Sequence, residues 1–96
     1  MKAKLVIEDS FSTGAGVVYL KVWKVPDPVP PSEHSFKYRL AYIVKGERVV
    51  GYDNERGKGD HKHLRDNEFD YLFSGVGKLI DDFMSDIQEV QRNENI

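Results

Sequence analysis

Apolar and polar residues alternate along residues 2–8, with Ala3, Leu5 and Ile7 on one side and Lys2, Lys4 and Glu8 mostly on the other. That is the period of a strand with one buried face. Residues 10–16 are rich in Ser, Thr and Gly and predict a turn. Residues 17–25 read VVYLKVWKV, a second strand with Val18, Leu20 and Val22 toward the core and Tyr19, Lys21 and Trp23 opposite. Pro26, Pro28, Pro30 and Pro31 then form a stiff extended connector, because proline fixes φ and has no N–H to give a sheet.

Phe36–Val44 predicts a third strand, and Lys45-Gly46 a two-residue turn into a fourth at 47–53. Such a turn sets Val44 opposite Glu47, and hence Arg39 opposite Tyr52 and Lys37 opposite Asn54. Residues 54–60 hold two glycines and no apolar residue, and read as a loop. Residues 61–64 and 71–73 are short enough to be a last strand pair or irregular chain. Ser74 is the expected N-cap of a helix over about 75–92, whose Val76, Leu79, Ile80, Phe83, Met84, Ile87 and Val90 fall at helical spacing. The polar residues 89–96 are expected to fray. The predicted fold is α+β: residues 1–96 form a single domain, with an antiparallel sheet of four to six strands within 2–73. One long C-terminal helix packs on one face of that sheet and leaves the other in water.

A chain of 96 residues buries a modest core and has little room for a large enclosed pocket. A site is expected as a shallow groove or sheet face, and a homodimer is one way to complete it. There is no cysteine, which removes disulfides, thiolate catalysis and Cys-based zinc sites. No apolar run approaches a membrane span and no signal-peptide core opens the chain, so a cytoplasmic protein with no membrane contact is expected. The net charge of −2 is unevenly spread. Residues 74–96 carry Lys78 and Arg92 against Asp81, Asp82, Asp86, Glu89 and Glu94, leaving the sheet region slightly basic. A partner with phosphates would meet the sheet rather than the helix.

The densest chemistry lies in Asp53–His63, and three readings of it stand open. In the first, His61 or His63 acts as general acid or base on a phosphodiester, with Arg39, Lys58 and Lys62 stabilising the phosphate oxygens. Glycines at 57 and 59 would let backbone approach phosphate closely. In the second, Asp60, His61 and His63 bind a metal ion, although Lys58 and Lys62 oppose a cation. In the third, the segment is a solvated loop whose charges balance. GKG lacks the spacing of a phosphate-binding Walker loop, so an ATPase is excluded, and no cofactor is implied. Basic groups interleaved with aromatic rings suit single-stranded RNA. The candidate contacts are Lys37, Arg48, Tyr52, Asn54, Arg56 and Lys62, with Arg39 at the strand centre as the phosphate holder. Tyr19 and Trp23 read equally as packed sheet residues. His34, isolated after the prolines, is expected in solvent or a turn.

Trp23 with Pro26, Lys37-Tyr38-Arg39-Leu40, Gly46-Glu47-Arg48-Val49-Val50, Tyr52-Asp53-Asn54, Lys58-Gly59-Asp60-His61-Lys62-His63 and the closing Asp82-Phe83 together resemble the TumE-type toxins of prokaryotic toxin–antitoxin modules. The resemblance spans nearly the whole chain. It implies an antitoxin partner, typically a helix-turn-helix protein encoded alongside, and growth inhibition by the free toxin. RNA cleavage by a metal-independent endoribonuclease is the activity that suits both such toxins and the histidine chemistry, by analogy. Lys62 stands where arginine is common between the two histidines, which keeps phosphate attraction but loses a bidentate grip.

Overall fold

The computed structural model describes residues 2–96. The chain lays down six strands in order, β1 Lys4–Thr13, β2 Gly16–Lys24, β3 Phe36–Val44, β4 Glu47–Glu55, β5 Gly59–Leu64 and β6 Asn67–Asp70, then a helix, α1 Val76–Glu94. Each strand pairs antiparallel with the next, so the sheet is a meander of order β1-β2-β3-β4-β5-β6. The α+β architecture follows the expectation.

The turn at Lys45 and Gly46 takes φ of 52° and 77°, and positive φ at both central residues matches the twist of a two-residue hairpin. Val44 faces Glu47 as its length requires. The ladder is not unbroken, however. Ile43 faces Arg48, but Tyr42 faces Val50, so Val49 is an extra residue on β4. Both Val49 and Val50 are buried. Past this bulge every side chain of β4 changes face relative to the simple register: Arg39 stands opposite Asp53, and Tyr52 stands opposite Leu40. Tyr52 and Asn54, expected beside Arg39 and Lys37, therefore point to the helix side.

The helix stripe Leu79, Phe83 and Ile87 is fully buried against Val18, Val22, Tyr38, Leu40, Tyr42, Val50 and Tyr52. Phe83 meets the Tyr52 ring edge-on at 5.7 Å. Polar pins frame this contact. The Tyr52 hydroxyl donates to Asp86, Tyr71 donates to Asp82 at 2.6 Å, and Lys62 Nζ reaches Asp86 at 3.2 Å. The helix begins after Gly75, at φ 117°, without any side-chain cap, so Ser74 does not fill that role. It continues to Glu94, and the Ile96 carbonyl accepts hydrogen bonds from Ala15 N at 2.5 Å and the Tyr42 hydroxyl at 3.1 Å. Residues expected to fray are thus tied to the β1–β2 turn. No helix of the described residues is long and apolar enough to cross a membrane.

Asp60 fastens the proline connector to β5. It accepts from Tyr38 Oη at 2.7 Å, from His34 Nε2 at 2.7 Å and from the Ser32 hydroxyl. Phe36 N donates to His34 Nδ1 at 3.2 Å, which leaves the ring proton on Nε2, facing Asp60. His34 also stacks on Phe73 at 3.8 Å between ring centroids. It sits in the bend before β3, one of its two expected settings, but as a half-buried clamp rather than in solvent.

Candidate functional site on the open sheet face

The helix covers one face of the sheet. Directly opposed residues of an antiparallel ladder share a face, so the register assigns the other face row by row. One row runs Lys21, Arg39, Asp53, His61, Asp70 across β2 to β6. The next runs Tyr19, Ala41, Gly51, His63, Glu68. The two imidazoles, two apart on β5, stand side by side with ring centroids 4.8 Å apart and planes at 81°. A shallow groove of about 660 Å³ lies farther along the sheet on β1–β3, lined by Glu8, Ser10, Tyr19, Lys21, Arg39 and Ile43, and reaches neither β4 nor β5.

His61 is buried, and its surroundings fix its tautomer. Nδ1 lies 2.9 Å from the Gly59 carbonyl, which can only accept, so Nδ1 carries the proton. Nε2 faces Asp53 Oδ1 at 2.5 Å and Glu68 Oε1 at 3.5 Å. The close approach to Asp53 is not aligned as a hydrogen bond, and Asp53 Oδ1 is buried without any such partner. Buried as it is, His61 has no edge for a substrate.

His63 is the accessible imidazole. Its pKa lies below the ordinary histidine value, through burial first, then the positive charge of Arg48, then His61. Arg48 reaches it by lying over Gly51, the residue opposite His63: a Cβ on Gly51 would stand 2.7 Å from Arg48 Cδ. Glu68 Oε1 sits 3.9 Å from His63 Nε2 and 3.9 Å from Lys58 Nζ.

Arg39, Arg48, His61 and His63 therefore share the open face, and Lys37 joins them opposite Trp23. Arg56 and Lys58 flank Gly57 at the exposed tip of the β4–β5 hairpin. Four other candidates lie elsewhere because strand residues alternate sides. Tyr52 is buried under the helix. Asn54 is buried too, its Oδ1 accepting from Tyr38 N at 2.9 Å and its Nδ2 donating to Phe36 O at 2.7 Å. Lys62 faces Asp86. Asp60 is held by the connector, so the expected trio of Asp60, His61 and His63 does not meet, and Asp53 takes the place of Asp60.

Sequence reasoning passed over Asp53, Glu68 and Gly51 as site residues. Their signal was the pairing of β4 with β5 and of β5 with β6, hidden where residues 54–60 read as a loop.

The arrangement offers an imidazole with a free lone pair, two guanidinium groups in reach of the same face, and a carboxylate–imidazole cluster behind them. A family model described as Toxin TumE matches residues 2–91. No curated protein and no solved structure gives a significant match. The match spans almost the entire chain, and the protein belongs to the TumE toxin family.

Proposed function

We propose that this toxin acts on RNA, holding a single strand across the open sheet face and cleaving a phosphodiester beside His63 by metal-independent acid–base chemistry. Family membership makes the chain the toxin component of a toxin–antitoxin system and gives it an antitoxin partner in general terms. RNA as target, a helix-turn-helix antitoxin and a cytoplasmic setting are the finer parts of this reading.

The observation that carries it is the pair of cross-strand rows that set Arg39 and Arg48 on the same uncovered face as His63. His63, neutral at pH 7 by its lowered pKa, takes the proton of a 2′-hydroxyl as that oxygen attacks phosphorus. The P–O5′ bond breaks, giving a 2′,3′-cyclic phosphate and a 5′-hydroxyl whose proton comes from water. Arg39, Arg48 and Lys58 offset the charge growing on the phosphate oxygens. His61 touches no substrate. It positions the β5 ring pair through Gly59 and Asp53.

The test is cleavage of cellular RNA in EDTA, with the ends sequenced. His63→Ala is expected to lose about 10²–10⁴-fold in rate, the usual contribution of one acid–base group, and Arg39→Ala to weaken substrate use. Cleavage by His63→Ala at the wild-type rate overturns the assignment. Salt-sensitive binding with no strand cut would instead make the face a binding platform. A helix-turn-helix gene beside this one checks the antitoxin reading.

A further inference from the structure

Asp53, His61 and His63 each offer a ligand atom, and these atoms all lie within 4.8 Å of one another. Proton transfer by His63 uses neither of the other two. Three features of the cluster point to a cation. Asp53 Oδ1 is buried with no hydrogen-bond partner, an arrangement that costs free energy unless a positive charge compensates it. The Gly59 carbonyl takes the Nδ1 proton of His61, which leaves Nε2 as the ring nitrogen facing that same carboxylate oxygen, 2.5 Å away. A metal ion ligated by both atoms would take the place of any proton shared between them. Anchoring of one imidazole nitrogen to a carbonyl is also how proteins orient metal-binding histidines.

The surrounding charge is mixed: Arg39 stands opposite Asp53 and Arg48 lies beside His63, while carboxylates offset them. Glu68 adds a second carboxylate, 3.5 Å from His61 Nε2 and 3.9 Å from His63 Nε2. Lys62, which would oppose a cation, lies on the other side of the sheet with Asp86. Lys58 reaches the cluster only through Glu68. We propose that Asp53, His61 and His63 bind one transition-metal dication of the zinc class, with Glu68 or water as fourth ligand. Two imidazoles with a carboxylate suit zinc, cobalt or nickel, whereas magnesium and calcium call for oxygen donors throughout. Tetrahedral zinc spaces its ligand atoms roughly 3.3 Å apart, so Asp53 and His61 part from 2.5 Å while the wider spacings, up to 4.8 Å, draw in by side-chain rotation.

The consequence rests on the acid–base reading given above. A metal-bound His63 has no lone pair for the 2′-hydroxyl proton, so the loaded toxin is switched off. Binding itself does not depend on that reading.

Chelator-stripped protein titrated with Co²⁺ is expected to develop visible d–d bands at one ion per chain, and Zn²⁺ to displace it. Asp53→Asn and His63→Gln should each weaken binding by more than about 100-fold, beyond the roughly 10–100-fold typical of changes outside the ligand set. His34→Gln, outside the ligand set and packed with Phe73 on the helix side of the sheet, should leave it unchanged, and circular dichroism confirms that each variant is folded. Absence of Co²⁺ and Zn²⁺ binding, or binding indifferent to both ligand substitutions, overturns the site while leaving cleavage in EDTA untouched. Binding accompanied by loss of RNA cleavage, restored by EDTA, supports both the site and the switch. Binding that instead raises cleavage keeps the site and overturns the switch together with the metal-independent mechanism.

Discussion

The side chain of Arg48 lies across the bare Cα of Gly51, filling the space that any larger residue there would claim. Gly51 faces His63 on the neighbouring strand, so this one missing Cβ lets a guanidinium rest beside an imidazole. Arg48→Ala removes a positive charge that lowers the His63 pKa, and the pKa should rise. It should not return fully to the ordinary value, because burial is the larger cause and persists. Gly51→Ala, by displacing the flexible arginine, should move His63 in the same direction by less. An NMR titration of the His63 ring protons in chelator-treated protein measures both, and an unmoved His63 in Arg48→Ala would refute the pairing.

Lys62 stands between the two histidines in sequence yet on the opposite face in space, where Asp86 receives both its ammonium and the buried Tyr52 hydroxyl. Asp86→Ala leaves that hydroxyl without its partner and should cost about 1–3 kcal/mol of stability. Lys62→Ala, which removes only a partly exposed ion pair, should cost less than about 1 kcal/mol. On the RNA reading, Lys62→Ala should cleave and bind as wild type does, while Arg39→Ala does not. Thermal melts and a side-by-side cleavage assay decide both statements.

The β3–β4 hairpin was legible because Lys45-Gly46 is a turn signal with a backbone reason, and the helix because its apolar stripe repeats at every turn. The bulge was not. Val49-Val50 is an apolar pair that suits either register, so nothing local indicates that one of them is extra, yet that residue decides whether Tyr52 or Asp53 joins Arg39. Strand β1 runs on through Ser10–Thr13, since Ser and Thr serve strands and turns alike. Strand β6, Asn-Glu-Phe-Asp, is wholly exposed and leaves no buried period to read. That His61 and His63 share a face follows from period-two alternation, but that Arg39 shares it rests on the bulge and on the β4–β5 pairing. Asp53 could not be placed beside His61 without knowing that the glycine-rich segment closes a hairpin. His34 and Asp60 meet across 26 residues of chain, a contact with no local signature.

Tyr71 and Asp82 form a pair whose strength depends on pH in a determined sense. The carboxyl pKa of Asp82 is lowered, first by the Tyr71 hydroxyl and then by Lys78, which bonds it at 2.9 Å. A depressed carboxyl contributes stability above its unfolded pKa and loses it as pH falls through the folded value. Tyr71→Phe should therefore narrow the stability gap between neutral and acid solution below about pH 4, near the unperturbed carboxyl range. The pKa of Tyr71 is raised, by burial first and then by this same bond, so its contribution persists until strongly alkaline pH. Urea unfolding of both proteins from pH 2 to 7 tests this. Parallel curves for wild type and Tyr71→Phe would show that the bond does not contribute.

Gly59 joins the two halves of the molecule that the site needs. Its φ is +78°, a Cβ there would come 3.1 Å from Pro31 Cγ, and its carbonyl fixes the His61 tautomer. Gly59→Ala must hold an L side chain in left-handed backbone, a cost of about 1–2 kcal/mol, and must also push back the proline connector. If the residue relaxes toward negative φ, its carbonyl swings off His61 Nδ1 and the ring loses its orientation. The variant should thus melt lower and also weaken Co²⁺ binding, whereas Gly46→Ala, with open space around its Cβ position and a similarly positive φ, should lower the melt alone. Equal metal affinity in the two variants would mean that the carbonyl of Gly59 does not orient the imidazole behind it.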